Sequence, residues 1–331
     1  MNSETDRGGG AETGALIGDA LAMPAHWYYD TAALRETFRR LDTYRDPPQD
    51  HPTSILWRSS YEPREPQFDI LGAERPFWGQ RNVHYHRLLR AGENTLNLQL
   101  LTLALADVRT RGGYDVQRYR SAYIEFLRHP EGHRDTYLEE CHRGFFVNLR
   151  RGVPPERCAV QEKHIGGMVA VLPLWALLRT LGESDSAARL AVHQHVGVTH
   201  AGEMVRTAVD TLLVLAAELW EGVPLKEALT AHLRRQDLPY LQGPIERLAT
   251  KNVPEVIGPT FSPACYLQDA MPATFYLALR YHDDPETALV ENAMAGGDNC
   301  HRGAVLGALL GLAGGRQAFP QRWLTGLIPQ R

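Results

Sequence analysis

Residues 95–111, TLNLQLLTLALADVRTR, show the pattern that most of the chain repeats. Their apolar side chains recur at the i, i+4, i+7 spacing of a helix that packs one face against a core. The residues on this face are Leu96, Leu100, Leu103 and Ala106. Similar segments follow to the end of the chain, separated by short turns that hold Gly, Pro or Asp, and we find no convincing alternating strand. The sequence therefore predicts an all-α fold.

Length and composition restrict the class of protein. The chain has 331 residues, of which 44% are hydrophobic and 22% charged, with a net charge of -4. This composition is typical of a soluble globular protein, and it predicts neither nucleic acid nor an anionic membrane as partner. The apolar runs at 165–178 and 304–313 are shorter than a membrane span, and the N-terminus lacks the pattern of a signal peptide. We therefore expect a cytoplasmic protein.

No repeat, low-complexity tract or charged linker divides the chain. We expect residues 1–10 to form a disordered tail and residues 11–331 to form one helical domain. Residues 44–90 are the one long irregular segment, rich in proline and in aromatic residues such as Trp57 and Trp78. Long irregular segments are often functional, and aromatic residues argue against disorder. The segment is interpreted as a lid or wall over a pocket, or else as a strap that packs on the helices.

The first of three informative segments is GALIGDALAMPAHW, residues 14–27. Gly14 and Gly18 are one helical turn apart, so this helix can approach another backbone closely. Asp19 interrupts the apolar helix, and a buried carboxylate needs partners. His26 follows a proline where the helix is expected to end, so its side chain can reach a cleft.

The second segment is HYHRLLRAGENTLNLQL, residues 84–100. His84 and His86 point the same way if this stretch is extended. A helix is expected to begin near residues 92–94, capped by Asn94 or Thr95. Its free backbone N–H groups and positive dipole suit a phosphate. Glu93 and Asn97 lie one turn apart at its start, where capping and a binding site explain them equally well.

The third segment is GGDNCHRGAVLGALLGLAGG, residues 296–315. Glycines at every fourth position, residues 303, 307 and 311, form a flat helix face for close packing. Before these glycines lies a dense cluster of polar residues. Folding alone does not require such a cluster, although one of its members can cap the helix. The cluster consists of Asp298, Asn299, Cys300, His301 and Arg302.

Together, the three segments resemble the ADP-ribosylglycohydrolases, the family that includes the dinitrogenase-reductase-activating glycohydrolases. GALIGDALAMPAHW resembles the family's opening G-x-x-x-G-D-A-x-G-x-P-x-E motif, and GGDNCHRGAVLGALLG its closing G-G-D-T-D-T-x-G motif. AGENTLNLQLLTLAL lies where the family has T/S-D-D-T. The resemblance implies a compact orthogonal helical bundle with a central cleft. It also implies hydrolysis of ADP-ribosyl linkages on a small-molecule or protein-linked ligand, assisted by two Mg²⁺ or Mn²⁺ ions.

The chain departs from these motifs where the family binds metal. His26 replaces the glutamate after the proline, Glu93 and Asn94 replace the paired aspartates, and Cys300 and His301 replace an aspartate and a threonine. Of the matching carboxylates only Glu93 and Asp298 remain. Since hard dications need several oxygen ligands, a binuclear site is not expected. Two interpretations stay open: one Mg²⁺ or Mn²⁺ ion on Glu93 and Asp298, joined by His26 or His301, or no metal. The altered motifs resemble a divergent branch that includes lens-crystallin relatives.

The resemblance leaves two functional interpretations. In the first, the chain is a hydrolase in which Glu93 or Asp298 stabilises an oxocarbenium-like cation or orients water, and His26 or His301 donates the proton. In the second, catalysis is lost and the chain binds ADP-ribose or a nucleotide, or has a structural, crystallin-like role. Trp57 or Trp78 would then stack on the base. The predicted substrate-binding residues are Asp19, His84, His86, Asn94, Thr95, Asn97, His164, Asn299 and Arg302, with Arg302 as a phosphate ligand.

Overall fold

The computed structural model describes residues 3–235 and 245–329, and helices dominate it. The α-helices in chain order are α1 (Ser3–Ala22), α2 (Thr31–Phe38), α3 (Leu96–Arg111), α4 (Val116–Arg128), α5 (Glu140–Arg150), α6 (Val171–Thr180), α7 (Asp185–Val196), α8 (Glu203–Trp220), α9 (Leu225–Arg235), α10 (Ile245–Leu248), α11 (Val253–Val256), α12 (Leu267–Arg280), α13 (Pro285–Met294), α14 (Asn299–Gly314) and α15 (Gln321–Gly326).

Extended structure is minor. In the described ranges, the strands are a parallel pair, β1 (Val160–Gln161) and β2 (His200–Ala201), in which Val160 is opposite His200. Short 3-10 turns follow α1 at Met23–Ala25 and precede α6 at Ile165–Met168. The predicted all-α fold is therefore confirmed, with one two-residue ladder that the sequence analysis did not predict. None of the described helices combines the length and apolar character needed to cross a membrane.

Helices α1 and α14 form the central pair of the bundle, and glycines allow their close contact. A Cβ atom on Gly14 would overlap the carbonyl oxygen of Gly307, and one on Gly18 would overlap that of Gly303. Because only glycine lacks a Cβ, the two backbones can touch at these crossings. The glycine-lined faces predicted from residues 14–18 and 303–311 pack against each other.

Residues 3–10 belong to α1, so the prediction of a disordered tail is wrong for them. Two of the three glycines in this stretch, Gly8 and Gly10, are packing positions. A Cβ on Gly10 would overlap the Gly311 carbonyl oxygen, and one on Gly8 would overlap the Thr180 hydroxyl. Tertiary contact therefore holds this turn in a helix despite its low intrinsic propensity. Residues 1 and 2 of the predicted tail lie outside the described residues.

The irregular segment at 44–90 turns many of its side chains inward. Leu56, His84 and Tyr85 are buried. Trp57 lies under the Arg81 guanidinium, 3.9 Å from its ring centroid, and Trp78 Nε1 donates a hydrogen bond to the Thr136 carbonyl 2.9 Å away. Both tryptophans are thus engaged by the protein itself, and the segment packs on the helices while its histidines form part of the site described next.

Candidate functional site

Polar side chains from four separate parts of the chain meet in one buried cluster. His26 follows the turn after α1, and His86 comes from the irregular segment. Asp135 and Glu139 precede α5, and Asp298 and His301 lie at the start of α14. Exposed fractions in this cluster range from 0% for Asp298 to 7% for Glu139. Such burial of ionisable groups is costly unless they are paired, so their hydrogen bonds define the site.

Backbone pairing places the two ends of the cluster side by side. Trp27 N–H donates to the Gly297 carbonyl at 2.8 Å, and Gly297 N–H donates to the Tyr28 carbonyl at 2.8 Å. Gly296 and Gly297 have φ values of 65° and 66°, a region that favours glycine. Asp298 then caps α14 and accepts from the His301 N–H.

Trp27 has a strained backbone beside the cluster. Its φ is 61°, which is unusual for a bulky residue. Its indole stacks on the His26 ring with centroids 4.0 Å apart and meets Tyr85 and Tyr137 edge-on. Strain of this kind persists only where the surroundings enforce it, and it clusters at functional sites. The strained tryptophan holds His26 in place.

A chain of hydrogen bonds connects two carboxylates through two imidazoles. His26 Nε2 donates to Asp298 Oδ1 at 3.0 Å, and His26 Nδ1 lies 2.6 Å from His86 Nε2. His86 Nδ1 donates to Asp135 Oδ1 at 2.6 Å. The other oxygen of Asp135 accepts from the Leu96 N–H at 2.8 Å, which ties the chain to the start of α3.

His301 lies between two carboxylates. Its Nδ1 is 2.9 Å from Asp298 Oδ1 and 3.6 Å from Glu139 Oε1. Burial opposes the charged form, but Asp298 and Glu139 outweigh it and raise the pKa of His301 to about 10. Burial likewise opposes ionisation of Asp298, yet His301 and His26 hold its pKa well below the usual range. The pair is therefore ionised at neutral pH.

Asn97 lies beside Nε2 of the His301 ring, on the side opposite Asp298. Its Nδ2 donates to Glu139 Oε2 at 2.7 Å and lies 3.2 Å from His301 Nε2, while its Oδ1 accepts from His142 Nε2 at 2.9 Å. An amide nitrogen can only donate, and the Nε2–H of the charged His301 ring is also a donor, so no hydrogen bond joins the two. In the charged imidazolium, Nε2–H instead needs an acceptor, which a ligand in the adjacent cavity can provide.

The cavity beside these groups is small and polar. The space between them admits about one water molecule. A second small cavity lies beyond Asn97, where His200 Nε2 is buried without a hydrogen-bond partner among the described residues. The first cavity is lined by His26, Trp27, His86, Thr95, Leu96, Asn97, Asp135, Tyr137, Glu139 and His301.

Comparison with known proteins shows the family and the fold of the chain. The family model for ADP-ribosylglycohydrolase matches residues 1–330. The chain belongs to the ADP-ribosylglycohydrolase family. A solved structure described as an ADP-ribosylglycohydrolase-related protein complex matches with a TM-score of 0.61 and 20% identity, covering 99% of this chain and 94% of the other. This structural match shows the shared fold alone. No curated protein sequence is detectably similar to the chain.

Glu93, predicted from the family motif as a catalytic and metal-binding residue, is not in the cluster. Its carboxylate pairs with Arg134 and accepts from the Arg90 N–H at 2.7 Å. It lines a separate surface cavity with His133. The structure therefore does not bring Glu93 to Asp298, and the predicted ligand pair is not assembled.

The residues at the start of α3 in this ADP-ribosylglycohydrolase family member form hydrogen bonds that stabilise the fold. Asp19 Oδ2 accepts from the Thr95 N–H at 2.8 Å and from Asn94 Nδ2 at 2.9 Å, and its Oδ1 accepts from the Thr95 hydroxyl at 2.7 Å. The amides of Thr95 and Leu96 are bound to Asp19 and Asp135, so they are not free for a phosphate. The prediction of a phosphate site at this helix start is wrong for these two amides.

Two predicted ligand residues on α14 are also structural. Arg302 is fully buried, where its Nε donates to Asn292 Oδ1 at 2.8 Å and its guanidinium also reaches the Gly296 carbonyl at 2.9 Å. Asn299 Nδ2 donates to the Ala293 carbonyl at 2.8 Å. These bonds hold α13 against α14, so Arg302 is not placed to bind phosphate.

The remaining predicted histidines lie around the cluster. His84 Nε2 donates to the Pro24 carbonyl at 3.0 Å, and its Nδ1 accepts from the His86 N–H at 3.0 Å. Because a carbonyl accepts and an amide donates, His84 is a neutral support for His86. His164 Nδ1 is paired with Glu162 at 3.0 Å and packs on Tyr266, outside the cavity beside His301.

A binuclear Mg²⁺ or Mn²⁺ site does not fit these residues. Of the positions that match the family motifs, only Asp298 contributes a carboxylate to the cluster. Three described groups each have three donor atoms within 4.8 Å of one another. In the group around Asp298, hydrogen bonds use both carboxylate oxygens and three of the four imidazole nitrogens, and one carboxylate is too few for a hard dication, so we assign no metal ligand there. The groups are His26–Asp298–His301, His26–His86–Cys300 and Glu139–Cys141–His142.

The sequence analysis missed Asp135 and Glu139. The pattern of residues 135–152 predicts one helix that includes both, whereas α5 begins at Glu140. Their four-residue spacing just before an amphipathic helix was the available signal. It was weak, because acidic residues at a helix start are common for reasons of capping and dipole alone.

Proposed function

We propose that this chain is a metal-independent hydrolase that cleaves the bond between ribose C1 and a nitrogen or oxygen of an ADP-ribosyl substrate. Family membership supports the substrate class, and the pairing of Glu139 with His301 at one polar cavity supports the chemistry. This pairing is the observation that carries the proposal. It joins a carboxylate and an imidazole, the two group types that such a cleavage requires.

Each group has a defined task in the proposed reaction. The C1–N or C1–O bond breaks, its electron pair goes to the leaving atom, and His301 Nε2–H donates the proton there. The Glu139 carboxylate stabilises the cationic ribose and then takes a proton from the water that adds to C1. Return of that proton to His301 through solvent closes the cycle. Asp298 keeps His301 charged and orients it.

His301 also supports a role in binding. In the charged ring, Nε2–H faces the Asn97 amide nitrogen, which cannot accept, so it needs an acceptor such as a leaving group or a ribose hydroxyl. The second candidate function is binding of ADP-ribose or a nucleotide without catalysis. The small volume of the cavity favours this candidate, because a ribose can enter only if side chains there move.

Product analysis after chelation tests the proposal. Peptides that carry ADP-ribose on arginine or on serine are incubated with chelator-treated protein, and free ADP-ribose is measured by chromatography. We expect release that falls at least about 100-fold in Glu139→Gln and in His301→Gln. Glu140→Gln is the matched control, because Glu140 is exposed at the next position. No release from any linkage by the unaltered protein would favour the second candidate.

A further inference from the structure

The His26 and His86 rings face each other edge to edge. Their planes differ by 7°, their centroids are 4.9 Å apart, and the facing nitrogens, Nδ1 of His26 and Nε2 of His86, are 2.6 Å apart. Two imidazoles in this arrangement share one N–H···N hydrogen bond. The separation is too short for two bare nitrogen lone pairs, which would repel each other.

The two carboxylates fix the number of protons in this chain. Asp298 accepts from His26, so Nε2 of His26 carries a hydrogen. Asp135 accepts from His86, so Nδ1 of His86 carries a second. The bond between the rings needs a third. Two neutral imidazoles together carry only two N–H hydrogens, so the chain holds one proton more than neutral rings allow.

We infer that His26 and His86 form a buried cation that shares one proton, and that Asp135 and His86 are positioning residues which keep His26 donating to Asp298. The role in catalysis rests on the proposed function, because Asp298 in turn orients His301. The shared proton itself is a property of the free protein.

The surroundings of the pair are consistent with a single positive charge. Carboxylates face it from α14 and from the loop before α5, while the imidazolium of His301 lies across Asp298. Burial lowers the pKa of His26 to about 3, so His26 is the neutral ring, which accepts in the bond between the two rings and donates to Asp298. The titratable groups that face the pair are Asp298, Cys300 and His301 from α14, Asp135 and Glu139 from the loop, and the neutral His51 and His84 from the irregular segment.

Nitrogen-15 NMR on histidine-labelled, chelator-treated protein without substrate tests the inference. At neutral pH we expect three N–H groups on the four ring nitrogens of His26 and His86, with one far-downfield proton between the rings. Asp135→Asn removes the terminal carboxylate, and the pH at which the extra proton is lost should fall by about one unit or more, equivalent to a tenfold weaker proton affinity. His86→Gln should abolish the far-downfield signal.

The control is His51→Gln, which makes the same change at a fully buried histidine whose ring bonds the backbone carbonyl of residue 26 and packs on Tyr28, with no bond to either ring of the pair. It should leave the signal and its titration unchanged. Thermal melting establishes that each variant is folded. Two N–H groups rather than three in the unaltered protein would overturn the inference, whatever the hydrolysis assay shows.

Discussion

Asp298 Oδ1 lies 2.9 Å from His301 Nδ1, three residues along the chain, at the buried start of α14. The carboxylate caps its own helix and accepts from His26 as well. One side chain therefore combines a structural task with an electrostatic one. This double use explains why the aspartate can remain in the closing motif when the neighbouring motif residues differ from the family pattern.

The pH dependence of stability should report the His301 pair. Since the folded pKa of His301 is raised to about 10 from an ordinary 6.5, its stabilisation is complete below pH 6.5 and is lost as pH rises towards 10. We expect the free energy of unfolding to fall by at most about 1.4 kcal/mol per pH unit in this window. Urea unfolding across the window, compared with His301→Gln, measures it. An equal slope in both proteins would contradict the assignment.

Gly14→Ala should strongly destabilise the protein. The added Cβ overlaps the Gly307 carbonyl oxygen, so α1 and α14 must separate, and we expect a loss of about 2 kcal/mol or more. Gly9→Ala is the matched control in the same helix, because its Cβ would meet nothing within 4 Å. That variant should gain up to about 1 kcal/mol from helix propensity. Urea unfolding compares the two. Similar losses in both variants would argue against the close helix crossing.

Glu93→Ala should have little effect. The Glu93 carboxylate pairs with a half-exposed arginine, and such surface ion pairs contribute about 0–1 kcal/mol. Calorimetric titration with ADP-ribose should give the same affinity as the unaltered protein, and the melting temperature should change only slightly. A large loss of ADP-ribose affinity would instead support the role that the family motif predicts for this position.

Chelation should not alter ligand binding. We expect ADP-ribose to bind chelator-treated protein, and added Mg²⁺ or Mn²⁺ to change the affinity less than about threefold, since the described cluster lacks the oxygen ligands that these ions need. Calorimetric titration with and without each metal measures this. Binding that requires metal would show that the oxygen donors are sufficient after all.

The site could be predicted in part. His26, His86, Asn97, Asp298 and His301 were all candidates, because polar residues at the ends of apolar helices are conspicuous. Glu93 was misplaced for a physical reason: the helix was expected to begin near residues 92–94, but α3 begins at Leu96, so Glu93 lies in the preceding turn and pairs with Arg134. Asp135 and Glu139 could not be assigned from their local pattern, since only contacts with α3 and α14 give them their partners.

The sequence by itself determined the helical class, the family and the glycine faces, because these depend on periodicity and on local motifs. Only the tertiary structure decided that Asp19 and Arg302 support the fold, whereas Glu139 and His86 belong to the polar centre. The reason is that a buried charge acquires its role from the partners that compensate it. Those partners come from distant parts of the chain, and their pairing is not encoded in the spacing of any single segment.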